Sequence, residues 1–115
     1  AAVEPAMALA RASGSVVCVT GEVDFVTDGA RVLSVSGGDP MTTLVVGTGC
    51  SLSALVAAFC AVEEDAVTAA AAACALVKRA SAVARSRAKG PGSFHAEYLD
   101  ALYLLEPADF SSARV

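Results

Sequence analysis

The chain has 115 residues, of which 56% are apolar and 17% charged, and its net charge is −4. That length suits one domain around one modest core, and so much alanine and valine excludes intrinsic disorder, which needs a chain poor in residues that bury surface. Eight basic against twelve acidic residues leave no cationic footprint for a phosphate backbone, so nucleic-acid binding is excluded too.

Residues 4–12 predict a short helix, with Pro5 in its first turn and Gly14 placed to end it. The run Ser15-Val-Val-Cys-Val-Thr20 has no helical period and reads as a strand buried on both faces, ended by Thr20-Gly21. Residues 24–27 and 31–36 are two further strands. Asp28-Gly29 lies between them as a strong hairpin signal. Gly37-Gly38-Asp39-Pro40 is loop, and Leu44-Val45-Val46 reads as a brief strand before Gly47-Thr48-Gly49-Cys50. A helix is expected over 51–62. Asp65 then caps a long alanine-rich helix reaching toward Ala88, ended by Gly90-Pro91-Gly92. Ser93 caps a last helix over 94–105, whose stripe is Phe94, Tyr98, Ala101, Leu102 and Leu105; Pro107 stops it and the tail 111–115 looks loose. The order points to an α/β layered fold with a sheet of few strands, fewer than a free-standing layer needs.

The cysteines stand at 18, 50, 60 and 74 without Cys-x-x-Cys spacing, and His95 is the only histidine, which argues against a zinc site. Cys18, Cys60 and Cys74 have apolar neighbours and are expected to be small buried hydrophobes in a reduced, cytosolic setting. Residues 41–62 lack charge over a length that could span a bilayer. Their threonines, glycines and serines, and acidic rather than basic flanks, predict instead a buried strand, a glycine turn and a buried helix of a soluble protein. The first residues are not a signal peptide. They lack a methionine, which fits trimming or a place in something longer.

The segment Val46-Gly47-Thr48-Gly49-Cys50-Ser51 carries the chemistry. Its glycines permit close backbone approach to a ligand. The helix that follows presents unpaired N–H groups and a positive dipole end, a cradle for phosphate. Turns of this kind also serve plain chain reversal. At a helix start Cys50 gains thiolate character, which suits it as a base beside a bound phosphate or simply as a packed thiol. A Cys50–His95 nucleophile pair has little support, because His95 sits in the first turn of another helix; a cysteine hydrolase therefore lacks its second acid or base.

Gly47-Thr48-Gly49-Cys50 followed by Ser51-Leu52-Ser53-Ala54-Leu55-Val56-Ala57-Ala58-Phe59 resembles the hydroxyethylthiazole kinase family of the ribokinase-like superfamily. Val19-Thr20-Gly21-Glu22-Val23-Asp24-Phe25-Val26-Thr27-Asp28-Gly29 looks like that family's upstream strand and hairpin, and Gly90-Pro91-Gly92-Ser93-Phe94 like its C-terminal signature. The resemblance implies a ribokinase-like layered fold, of which this chain is the C-terminal part, a single partial domain over 1–115. It implies transfer of the ATP γ-phosphoryl group, with Mg²⁺, to the hydroxyethyl alcohol of 4-methyl-5-(2-hydroxyethyl)thiazole in thiamine salvage. By the same resemblance Thr20 contacts ATP, Gly47 contacts the thiazole, and the backbone of Gly47, Thr48, Gly49 and Cys50 forms an anion hole. Cys50 stands where most relatives place a catalytic aspartate. Val46 replaces a common threonine, and Ser36-Gly37-Gly38-Asp39 a more usual Asn-Gly-His stretch before Pro40. The family's chains are more than twice as long, so this chain alone is expected to be inactive, with its metal ligands unassigned and a homo-oligomer, a trimer by resemblance, as its assembly. Hydroxymethylpyrimidine and pyridoxal kinases share the Gly-Thr-Gly-Cys turn, but the hairpin and the 90–94 motif point away from them. A non-catalytic remnant serving as an assembly module remains the reading from another class.

Overall fold

A computed structural model describes residues 2–110 of the chain. Four helices and a three-stranded antiparallel sheet follow in the order α1 (Val3–Ser13), β1 (Val17–Val19), β2 (Asp24–Thr27), β3 (Val32–Val35), a 3-10 helix (Pro40–Leu44), α2 (Thr48–Cys60), α3 (Ala66–Arg87) and α4 (Pro91–Leu104), with a closing 3-10 turn (Pro107–Phe110). The expected α/β arrangement of few strands, a hairpin and three later helices is present; the tail 111–115 lies outside the described residues.

The sheet is a simple meander, β1-β2-β3. Its register places Cys18 opposite Val26 and Val26 opposite Leu33, with Asp24 opposite Val35, so these five side chains share one face. That face packs on α3, and Val26 and Val35 are fully buried there. The β2–β3 turn is built by side chains. Asp28 Oδ1 accepts the N–H groups of Ala30 and Arg31 at 2.9 and 2.8 Å, and Thr27 Oγ1 accepts Gly29 N–H at 2.9 Å while donating to the Arg31 carbonyl at 2.6 Å. Four residues, 28–31, therefore separate the strands, where the Asp-Gly pair had suggested a tighter turn.

Helix α3 is the centre of the molecule. Its alanines let the sheet, α2 and α4 approach closely, and it is buried on several sides. By length and composition this helix could cross a membrane, but its packing between sheet and helices is that of a core helix. Asp65 caps it as expected, accepting Val67 N–H at 3.3 Å. Gly14 ends α1 with φ of 70°, in the left-handed region.

Four expectations need correction. First, β1 spans only Val17–Val19 and is half-buried, not buried on both faces, because it is an edge strand that pairs with β2 alone among the described residues. Second, Leu44-Val45-Val46 form no strand. Asp39 accepts Met41 N–H at 2.9 Å and Pro40 presets the first turn, so a 3-10 helix takes residues 40–44, and Val46 is 95% exposed. Third, α2 begins at Thr48, not Ser51, and is largely exposed: Leu52 is its one buried residue, with Leu55, Val56 and Phe59 leaning on the core. Cys60 is accordingly an exposed thiol and not a buried one. Fourth, Ser93 is not the cap of α4. The helix starts at Pro91 with Gly90 as N-cap, and the Ser93 hydroxyl reaches back to accept the N–H groups of Lys89 and Gly90 at 2.9 and 3.4 Å. The predicted stripe of α4 is nevertheless right, with Phe94, Tyr98 and Ala101 buried and Leu102 and Leu105 against the core.

Candidate functional site

The glycine turn before α2 is shaped by backbone need. Gly47 is the N-cap residue with φ of 97°, a left-handed conformation that side chains disfavour, and its carbonyl accepts Ser51 N–H at 2.9 Å. The N–H groups of Thr48, Gly49 and Cys50 precede the first intrahelical donor, that of Ser51, and no side chain caps them. Three donors thus gather at the positive end of a 13-residue helix. Side chains anchor this end from behind. The Thr48 hydroxyl donates to the carbonyls of Thr42 and Val45 at 3.3 and 3.4 Å, and the Ser51 hydroxyl donates to the Thr48 carbonyl at 2.8 Å. Ser51 Oγ also lies 3.2 Å from the phenol of Tyr98 on α4. Burial pushes the Tyr98 phenol above its ordinary pKa, against the opposing pull of the Ser51 hydrogen bond.

In front of this helix end lies an open cavity of about 810 Å³. One wall is the 20–24 loop after β1, another is the 36–40 loop after β3, and the start of α2 contributes Thr48, Gly49 and Leu52. Helix α3 supplies Val77, Lys78 and Ser81. The 36–40 loop turns through Gly37 and Gly38, whose φ values are 107° and 81°. Ser81 Oγ accepts the Thr42 hydroxyl at 2.9 Å, which ties the 3-10 helix to α3.

Of the residues singled out in the sequence, Thr20, Thr48 and Gly49 line this one cavity from separate elements. Gly47 and Cys50 flank it on the same turn as exposed residues and are not among its lining. His95 is exposed as the fifth residue of α4, past the first turn where it was expected, and makes no hydrogen bond with Cys50. Sequence reading missed Lys78, which lines the cavity with its ammonium beside Asp24. Its signal was its position. Cys74, Lys78 and Ser81 are spaced four and three apart, and so share one face of a helix.

Three acids line the cavity, Glu22, Asp24 and Asp39, and the last two are already engaged. Asp24 Oδ1 accepts Gly21 N–H at 3.0 Å and lies 3.5 Å from Lys78 Nζ. Asp39 Oδ1 accepts Met41 N–H and lies 3.8 Å from Arg85 Nε. Among the described residues no three His, Cys, Asp or Glu side chains gather to hold a metal ion. A resident metal centre does not fit this set.

The model of the hydroxyethylthiazole kinase family matches residues 1–108. The hydroxyethylthiazole kinase of Tolumonas auensis is 51% identical over 114 residues, which are 97% of this chain and 43% of the relative. That of Klebsiella pneumoniae is 60% identical over 103 residues, 90% of this chain and 40% of the relative. A solved structure of a hydroxyethylthiazole kinase protein from Pyrococcus horikoshii superposes with a TM-score of 0.92 at 37% identity, covering 96% of this chain and 44% of that one. The chain thus spans about two fifths of the length of the curated relatives it matches. With its motifs in order, its fold shared and its family match running nearly end to end, the chain belongs to the hydroxyethylthiazole kinase family.

Proposed function

We propose that this chain is the nucleotide-facing, anion-holding portion of an enzyme that transfers the γ-phosphoryl group of ATP to the alcohol of 4-methyl-5-(2-hydroxyethyl)thiazole, a salvage step toward thiamine in the cytoplasm. The observation that carries the reading is the convergence of Thr20, on the loop after β1, with the donor-rich start of α2 on one cavity. Phosphoryl transfer asks the protein mainly for positioning and for stabilisation of charge on the moving group. The N–H groups of Thr48, Gly49 and Cys50, fixed by the helix and anchored through Thr48 and Ser51, offer that stabilisation without reorganising. Thr20 holds the nucleotide phosphates across the cavity, and Gly47 leaves room for the thiazole beside the turn.

In the step itself the substrate oxygen bonds to the γ-phosphorus as the bond to the β,γ-bridging oxygen breaks, releasing ADP. The alcohol's proton passes to Cys50, which stands at the third position of α2, on the turn beside the cavity. Magnesium enters with ATP as part of the substrate and would neutralise phosphate charge. The thiazole reading is preferred to a pyrimidine or pyridoxal alcohol because the family model and the curated relatives are those of hydroxyethylthiazole kinases. A homo-oligomer completes the proposal.

The test pairs binding with turnover. The purified 115-residue chain is expected to bind magnesium ATP in calorimetry and to leave the thiazole alcohol unphosphorylated. A folded chain that does not bind nucleotide would favour a non-catalytic assembly module. Turnover would refute the claim that the chain needs further groups.

A further inference from the structure

Among the described residues Lys78 is the one cavity-lining cation, the proposed function leaves it without a task, and its surroundings say what it does. Its side chain is only 13% exposed. The ammonium donates to the carbonyls of Gly21 and Glu22 at 2.9 and 3.0 Å and lies 3.5 Å from Asp24 Oδ1. A lysine ammonium has three N–H donors and no acceptor; two go to these carbonyls, and its charge is paired with the Asp24 carboxylate. The partners are two residues of the loop after β1, whose carbonyls are 57 and 56 positions away, and Asp24, where that loop enters β2.

The loop closes on itself through the same carboxylate. Asp24 Oδ1 accepts Gly21 N–H at 3.0 Å, so Gly21 is held by both its N–H and its C=O. Asp24 is buried, and a buried carboxylate without a compensating cation is costly. The stem of Lys78 meets the other wall: a Cβ added at Gly38 would stand 3.6 Å from its Cδ and 3.7 Å from its Cγ. The head therefore grips the 20–24 loop while the stem lies under the 36–40 loop. Both are fixed to α3, the most enclosed helix of the fold.

We propose that Lys78 is the positioning residue of this site: it is not itself a phosphate ligand, but sets the 20–24 loop, and with it Thr20, at the distance from the α2 N-terminus that a nucleotide needs. The inference rests on the reading of Thr20 as a nucleotide contact. To swing toward an arriving phosphate, Lys78 would have to release the Gly21 and Glu22 carbonyls and the Asp24 carboxylate together.

The test reads amide hydrogen exchange and magnesium-ATP affinity in the 115-residue chain for Lys78→Met, which keeps the stem and removes the charge, and for Lys78→Arg, which restores donors. In Lys78→Met the Gly21 amide is expected to lose protection by about tenfold, as befits hydrogen bonds to a charged group, while the amides of β2 and β3 hold theirs. ATP binding weakens by about the same factor, and Lys78→Arg recovers both. An unchanged Gly21 amide overturns the clamp, and a loosened loop with undiminished ATP affinity overturns its role in the site. If Lys78→Met also deprotects the sheet, Lys78→Arg decides: recovery of the sheet without the Gly21 amide counts against the clamp, and recovery of both supports it. Failure of the unaltered chain to bind ATP removes the nucleotide reading, while the exchange contrast still judges the hold of Lys78 on the loop.

Discussion

Arg31 grips Asp65 with both terminal guanidinium nitrogens, at 2.9 and 2.7 Å, across 34 positions of sequence. Asp65 is also the N-cap of α3, and Arg31 also reaches Asp28 Oδ2 at 3.2 Å. The pair thus fastens the β2–β3 turn to the start of the central helix. One carboxylate serves two ends of the fold.

This pairing sets an acid limit. The Arg31 hydrogen bond, then that of Thr68, hold the Asp65 carboxyl well below the usual carboxylate range, and its N-cap contact with Val67 adds to them. Asp28 is lowered as well, first by the Arg31 backbone N–H and next by that of Ala30. A group whose folded pKa is depressed contributes its stability above its unfolded value, near 3.9, and loses it as pH falls through the folded value. The urea midpoint should be flat from neutral pH down to about pH 5 and fall progressively below it. Asp65→Asn, which keeps an N-cap oxygen but not the charge, should lower the neutral midpoint slightly and flatten the acid limb. Both groups are solvent-exposed, so added salt should shrink the difference. An acid limb as steep in Asp65→Asn as in the unaltered chain would assign the acid sensitivity to other groups.

Thiol chemistry gives a second measurement. Cys50 and Cys60 are exposed, Cys18 is intermediate and Cys74 is fully enclosed in the core. The Sγ atoms of Cys18 and Cys74 lie 3.6 Å apart, and their contact pulls the two thiols in opposite directions: the hydrogen bond with Cys74 lowers Cys18, while Cys74 is raised by Cys18 and by burial. Alkylation followed by peptide mass spectrometry should find Cys50 and Cys60 modified first, Cys18 later, and Cys74 only when the chain opens. Rapid labelling of Cys74 under native conditions would mean that α3 is not held against the sheet as described.

Local rules reached far in this chain because many of its elements begin and end on side chains that act locally. Asp28-Gly29 marked the hairpin, Gly14 the end of α1 and Asp65 the start of α3, each through contacts within a few residues of itself. The same rules misread residues 44–46, where valine's strand preference had no neighbouring strand to satisfy it and Asp39-Pro40 imposed a tight helix instead. They also misplaced α2, since an uncharged, small-residue helix reads as buried whether or not anything covers it. In the site, the turn of Gly47, Thr48 and Gly49 was legible from glycine spacing and Thr20 from its motif. Lys78 was not, because its task depends on carbonyls more than 50 positions away that carry no side-chain signature.

Two glycines with the same φ separate backbone strain from crowding. Gly29 and Gly47 both adopt φ of 97°, where an added Cβ costs roughly 1–2 kcal/mol from local sterics alone. Around Gly47 that Cβ would meet nothing within 4 Å, so Gly47→Ala should lose no more than this. At Gly29 it would stand 2.7 Å from Cγ of Arg11 and 3.3 Å from its backbone nitrogen. The Arg11 side chain could turn away, but only by giving up the 2.8 Å hydrogen bond that its Nε donates to the Gly29 carbonyl, and the backbone of α1 cannot turn away at all. Gly29→Ala should therefore be clearly the more destabilising in thermal or urea unfolding, with α1 loosened from the turn. The order reverses for function. Gly47→Ala alters the helix start that faces the cavity and should weaken ATP binding in a chain that is still folded, whereas Gly29→Ala should change binding only as far as it reduces the folded population. Equal stability losses at the two sites would show that α1 yields to the turn, and unaltered ATP affinity in Gly47→Ala would separate the anion-holding donors from the conformation of their N-cap.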